Sequence, residues 1–167
     1  MKTNTKAALL NLTIEPEIVA TEPLWFLYVE KTGPFMQTAP KAWEELRKVA
    51  QTQLDSNQIN GGLSLSGIDK SKKGDDAFQL QAGFNMKGKP ASIPAGLQFR
   101  ELKGGKYARF LLTGSYSQLP EAYPRVLAIV DQSPLKMRED FCIEKYLNNP
   151  ATTPEAELLT EILIPIL

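Results

Sequence analysis

The sequence contains no histidine. That absence excludes Ser-His and Cys-His nucleophile pairs, histidine-ligated haem, and the commonest zinc, copper and non-haem iron sites within this chain. Any chemistry must use carboxylates, tyrosines or lysines. Cysteine is nearly absent too: Cys142 stands alone, so it has no internal disulfide partner and no second thiolate for zinc, which fits a reducing compartment. Net charge is missing as well, because 19 Lys and Arg balance 19 Asp and Glu. Without a basic excess there is no counterion-release term to drive duplex binding, and direct nucleic-acid binding is not expected. The clusters Lys70-Ser71-Lys72-Lys73 and Lys103-Gly104-Gly105-Lys106 lie close to glycines and read as solvated turns. No apolar run approaches the length of a membrane span. Near the start, Ala7-Ala8-Leu9-Leu10 follows Lys2 and Lys6 but is too short for a secretory core. The expectation is a cytoplasmic protein with no membrane association, no metal and no other cofactor.

What is present is ordinary globular material. Hydrophobic residues at 43% and charged residues at 23% match the usual balance of a folded domain, and 167 residues suit one domain spanning 1–167. Within it an internal repeat is visible. An apolar strand followed by Thr32-Gly33-Pro34-Phe35 and then Gln37 is echoed by a strand followed by Thr113-Gly114-Ser115-Tyr116 and then Gln118. Downstream, Pro40-Lys41-Ala42-Trp43 corresponds to Pro120-Glu121-Ala122-Tyr123. The offsets are 113 − 32 = 81 and 120 − 40 = 80. Repeat one covers about 18–86, a connector about 87–105, and repeat two about 106–167.

Each repeat reads as β-α-β-β. Leu24 to Thr32 and Tyr107 to Thr113 are strands rich in aromatic and branched residues, stopped by glycine. The first helix is predicted to be capped at Thr38 or Ala39 with Pro40 in its opening turn, where the missing N–H costs nothing. Ala42/Trp43, Leu46 and Val49/Ala50 then form an apolar stripe, and Trp43 is read as core. The second helix carries Tyr123, Val126/Leu127 and Val130, with Pro124 placed in its first turn because an interior proline costs about 3 kcal/mol. Residues 62–68 and 78–84 form a hairpin around a polar turn, and 141–146 and 160–164 form the matching pair. The fold class is therefore α+β: duplicated β-α-β-β units about a pseudo-two-fold axis, with antiparallel sheet and two main helices around a central cleft.

Leu102-Lys103-Gly104-Gly105-Lys106-Tyr107-Ala108-Arg109-Phe110, followed by Thr113-Gly114-Ser115-Tyr116, resembles a signature of the GyrI-like small-molecule-binding domains, the effector-binding halves of AraC-type and multidrug-sensing regulators. The acidic residue two before a tyrosine on the penultimate strand appears as Glu144-Lys145-Tyr146, and the last strand closes with Ile162-Leu163-Ile164-Pro165. The resemblance covers nearly the whole chain and points to stand-alone members, since no helical DNA-binding region is read before Ile18. It implies a hydrophobic cleft that takes lipophilic, often cationic, molecules against a buried glutamate, which carries over to Glu144. Among the stand-alone members the resemblance leaves open a sensor or sequestering protein, a modulator of DNA gyrase or another protein partner, and a hydrolase of reactive cyclopropane-type toxins.

Strand alternation puts Cys142, Glu144 and Tyr146 on one face. Alternation alone leaves open whether Glu144 faces a pocket or pairs with a lysine outside; the resemblance favours the pocket. An ionised carboxylate among aromatic rings suits a lipophilic cation, at about 0.5–2 kcal/mol per cation–π contact. Candidate lining residues are Glu144, Tyr146, Tyr107, Trp25, Phe26 and Tyr28, with core packing the alternative for each aromatic. Cys142 reads as a small apolar filler, having no cation beside it to stabilise a thiolate. Catalysis, with Glu144 as base and a tyrosine as acid, is the minority reading. The first repeat's corresponding region, taken as Phe78 to Phe84, carries no acid, so one copy alone supplies the charge.

Overall fold

The computed structural model describes residues 10–167, apart from the side chain of Asp75, so the stretch before Leu10 lies outside the described residues. The strands are β1 (Asn11–Leu12), β2 (Glu17–Ala20), β3 (Leu24–Thr32), β4 (Ile59–Ile68), β5 (Phe78–Met86), β6 (Gln98–Leu102), β7 (Lys106–Thr113), β8 (Cys142–Tyr146) and β9 (Leu159–Pro165). Helix α1 (Phe35–Gln53) follows β3 and helix α2 (Leu119–Gln132) follows β7. All nine strands join one antiparallel sheet in the order β1-β7-β9-β8-β4-β5-β3-β6, with β2 also on β7. Its central six strands, β7-β9-β8-β4-β5-β3, are the two β-α-β-β units laid end to end with opposite sense, so the order is the same from either side.

Register shows what this arrangement does. One row of side chains runs Val29, Ala82, Ser64, Glu144, Ile162, Phe110 across six strands. Cross-strand partners share a face. The Val29–Ala82 end is covered by α1 through Ala42 and Leu46. The Ile162–Phe110 end is covered by α2 through Leu119, Ala122, Val126 and Val130. Both helices therefore lie on one face, each over its own half, and the central β4–β8 pair is left between them.

The opposite face buries a second core. Phe26, Tyr28, Leu63, Leu65, Tyr107, Ile143 and Leu163 form a single cluster although β3 and β7 are five places apart in the sheet. Three-residue links, 21–23 between β2 and β3 and 103–105 between β6 and β7, draw the two ends of the sheet together. Thr21 N–H and its hydroxyl both donate to the Gly105 carbonyl, at 2.8 and 3.2 Å. The sheet is thus curled around this core. Gly83 permits the curl: a Cβ there would lie 2.1 Å from the Leu27 carbonyl oxygen and 2.7 Å from Tyr28 Cα.

The helix starts differ from the sequence expectation. Gly33 and Gly114, at φ 130° and 132°, turn the chain after each first strand in a conformation open to glycine. Pro34 then occupies the N-cap position and α1 begins at Phe35, so Pro40 lies inside the helix rather than in its opening turn. In α2, Pro120 takes the start and Pro124 is interior. Both interior prolines are exposed, and the carbonyls they leave unpaired belong to exposed Met36 and Pro120, where solvent can take over the lost bond at little cost. The sequence reading also lacked β1 and β2, short edge strands with weak patterning of their own that exist by pairing with β7.

Candidate functional site

The centre of the β4–β8 strip between the two helices is a buried acid. Glu144 is 1% exposed and directly opposite Ser64, also 1% exposed. The spacing 144 − 64 = 80 equals the repeat offset, so the counterpart of Glu144 in the first repeat is Ser64 on β4 and not a residue of Phe78 to Phe84, which belongs to β5. The charge sits where the two halves meet.

Hydroxyls hold it there. Tyr146 Oη donates to Glu144 Oε1 at 2.8 Å, and Ser64 Oγ stands 2.7 Å from the Tyr146 oxygen and 3.4 Å from Oε1. The Tyr146 ring is clamped edge-on between Trp43 of α1, at 5.5 Å and 80°, and Tyr116 just before α2, at 5.2 Å and 61°. Trp43 reaches it over Gly62, where a Cβ would stand 3.3 Å from the indole. The Tyr123 hydroxyl of α2 is buried facing Glu144 and Ser66, polarised toward both but short of a full hydrogen bond to either.

Burial pushes the Glu144 carboxyl above its ordinary value; the hydroxyls of Tyr146, Tyr123 and Ser64 pull the other way. No lysine or arginine among the described residues contributes to its balance. The same burial, with the nearby carboxylate, pushes the Tyr123 and Tyr146 phenols well up, so both remain protonated donors. Cys142 is pushed up to about 11, first by burial and then by Glu144.

Glu144 opens on a cleft of about 910 Å3 between the N-terminal ends of the two helices. Its walls are largely apolar, including Phe35, Phe78, Leu119 and Leu127, with Ser66 and Cys142 near the acid. Exposed Met36 and Ile68 form the rim, and Lys70 pairs with Glu139 across the mouth. A volume of this size admits a drug-sized molecule.

The residues read from the sequence are distributed as follows. Glu144 is at the cleft and Tyr146 stands behind it as hydrogen-bond donor. Phe26, Tyr28 and Tyr107 point into the core on the other face of the sheet, away from the cleft. Tyr28 there donates to Gln98 Oε1 at 3.3 Å, and Tyr107 lies under the Arg138 guanidinium. Trp25 shares the helix-side face but at the far end of β3, stacked on Phe99 at 5.9 Å. The aromatics that do gather at the site are Tyr123, beside the acid, and Trp43 and Tyr116, packed on the Tyr146 ring that donates to it. Trp43 and Tyr123 were visible in sequence only as members of helical stripes, and Tyr116 only as the aromatic of the second Thr-Gly motif. The signal that could have found Ser64 is the repeat offset applied to Glu144.

Among the described residues no helix is long and apolar enough to cross a membrane. A family model for the GyrI-like small molecule binding domain matches residues 14–167. No curated protein matches the chain. Among solved structures, the chain is similar to the C-terminal domain of EcmrR at 13% identity and TM-score 0.73, covering 95% of this chain and 98% of that one. It is similar to SAV2435 bound to tetraphenylphosphonium at 16% identity and TM-score 0.70, covering 92% and 94%. A hydrolase from Listeria innocua is similar at 13% identity and TM-score 0.59, covering 99% and 98%. At these identities the likenesses establish the fold.

Proposed function

The chain belongs to the GyrI-like small-molecule-binding domain family, and on that premise we propose that its cleft binds lipophilic cations with Glu144 as counter-charge, serving to sense or sequester them. The observation that carries this reading is a buried carboxylate with no cationic partner among the described residues, at the base of an apolar cleft. A charge so placed is costly unless something compensates it, and hydroxyl donors compensate only in part. A ligand cation would supply the missing charge, while its hydrocarbon or aryl groups would bury the apolar walls. Tetraphenylphosphonium bound to SAV2435, a structure of the same fold, is a ligand of this chemistry and supports the reading. Loose size selectivity is expected, because the walls offer contact area and few directional groups.

Tetraphenylphosphonium and a rhodamine dye, titrated against wild type and Glu144→Gln by tryptophan quenching, test the proposal. Wild type should bind both, and the variant should lose on the order of a hundredfold in affinity, the scale of an ion pair about 5 Å apart at an effective dielectric near 20 after some desolvation loss. Neutral triphenylphosphine oxide should not distinguish the two proteins. Equal affinity of wild type and variant for the cations would sink the proposal.

A further inference from the structure

The two oxygens of Glu144 are used unequally. Oε1 takes the hydrogen bonds from Tyr146 and Ser64, whereas Oε2 receives none from the described residues and remains open toward the cleft that Glu144 lines. Beside it, the Tyr123 hydroxyl is buried facing the carboxylate with no full hydrogen bond among the described residues, so its oxygen lone pairs are free, and Ser66 Oγ lies on the same stretch of wall. The cleft therefore ends in three oxygens in one polar spot, a carboxylate acceptor and two hydroxyls that each donate and accept, surrounded by apolar side chains. A permanently charged cation whose surface is all C–H would neutralise the carboxylate but would leave the Tyr123 oxygen unsatisfied. A cation that carries N–H groups would satisfy both, with one N–H to Oε2 and a second to Tyr123 or Ser66.

We propose that, within the cation-binding reading on which this inference rests, the site selects N–H cations, that is protonated lipophilic amines or amidines, over quaternary ones, and that Tyr123 is the residue that makes the selection. An unsatisfied buried hydroxyl is the more costly state, because its full desolvation penalty stands uncompensated. A second, charge-assisted hydrogen bond removes that penalty and fixes the orientation of the nitrogen. Tyr123 is suited to the task because the interior turns of α2 hold its ring against the cleft and leave only the hydroxyl to contribute.

The test uses three compounds of one shape at pH 7: protonated 1-naphthylmethylamine, its N,N,N-trimethyl derivative, and neutral 1-naphthylmethanol. Each is titrated calorimetrically into wild type, Tyr123→Phe and Ser66→Ala. Wild type should bind the amine about tenfold more tightly than the trimethyl compound, the worth of one net charge-assisted hydrogen bond. Tyr123→Phe should lower that ratio several-fold, leaving only what the N–H bond to Oε2 and Ser66 supply, and Ser66→Ala should lower it less. Equal affinity of wild type for amine and trimethyl cation, or a ratio unchanged in Tyr123→Phe, overturns the selection while leaving the cation site standing. Failure of both cations to exceed the alcohol overturns the cation site itself and the selection with it.

Discussion

Replacing Glu144 by Gln should make the unliganded protein more stable at neutral and alkaline pH while removing its cation binding. The reason lies in the buried charge. Burial raises the carboxyl above its ordinary 4.5, so over the interval between the unfolded and folded values the native state holds more protons than the unfolded chain. With ν_U below ν_N, stability falls as pH rises through that interval. The slope there is at most 2.303RT, about 1.4 kcal/mol per pH unit, for this one group. For a chain of this size that corresponds to a Tm change of about 3–5 °C per unit. The penalty is absent below the ordinary carboxyl value and fully present above the raised one. Glutamine keeps an acceptor oxygen for Tyr146 and carries no charge, so its curve should lack this component. Differential scanning of both proteins from pH 4 to pH 9, without ligand, should give curves that lie close together at the acid end and separate upward from it, with Glu144→Gln the more stable. A saturating lipophilic cation should restore stability to wild type in the alkaline range and do little for the variant. A variant less stable than wild type at pH 8, or a gap independent of pH, would refute the account of Glu144 as a buried charge without a partner.

Three further outcomes follow from the same geometry. Tyr146→Phe removes the closest donor to Oε1, so the Glu144 carboxyl should rise further and the pH at which cation binding is half lost on acidification should move up, measured by dye titration across pH. Cys142, at about 11, is overwhelmingly thiol at pH 7.5, so it should react with a disulfide reagent such as DTNB at least tenfold more slowly than a free cysteine peptide, and more slowly still with a lipophilic cation bound. Gly83→Ala, whose Cβ would meet backbone atoms of β3 at 2.1 and 2.7 Å, should cost at least about 3 kcal/mol, seen as a Tm loss of roughly 10 °C or as insoluble protein.

Much of the scaffold was legible because its signals are local. Leu24 to Thr32 and Tyr107 to Thr113 carry branched and aromatic residues up to a glycine that must take positive φ, and β3 and β7 occupy those ranges to within one residue. The polar turn between residues 68 and 78 marked the hairpin of β4 and β5. Alternation also put Cys142, Glu144 and Tyr146 on one side of β8, and that side is the helix face. Helix starts were less legible: Pro40 and Pro124 sit inside helices because both project into water, where an unpaired carbonyl is cheap, and exposure is not written in the local sequence.

The faces of the other strands were not legible either. Phe26, Tyr28 and Tyr107 have the same composition as pocket residues, and only the register fixed by cross-strand pairing sends them to the curled core instead. The sequence by itself determined the duplicated units, the turns between their strands and the single acid on the penultimate strand, because propensity, glycine geometry and period-two alternation act over a few residues. Tertiary structure alone decided that β8 lies beside β4, that Ser64 faces Glu144, that Tyr123 comes to the acid, and that Trp43 and Tyr116, from elements far apart in the chain, clamp its donor Tyr146. Those are long-range pairings, settled when two half-sheets bury their faces together, and the charge acquires its meaning only from the apolar walls they bring to it.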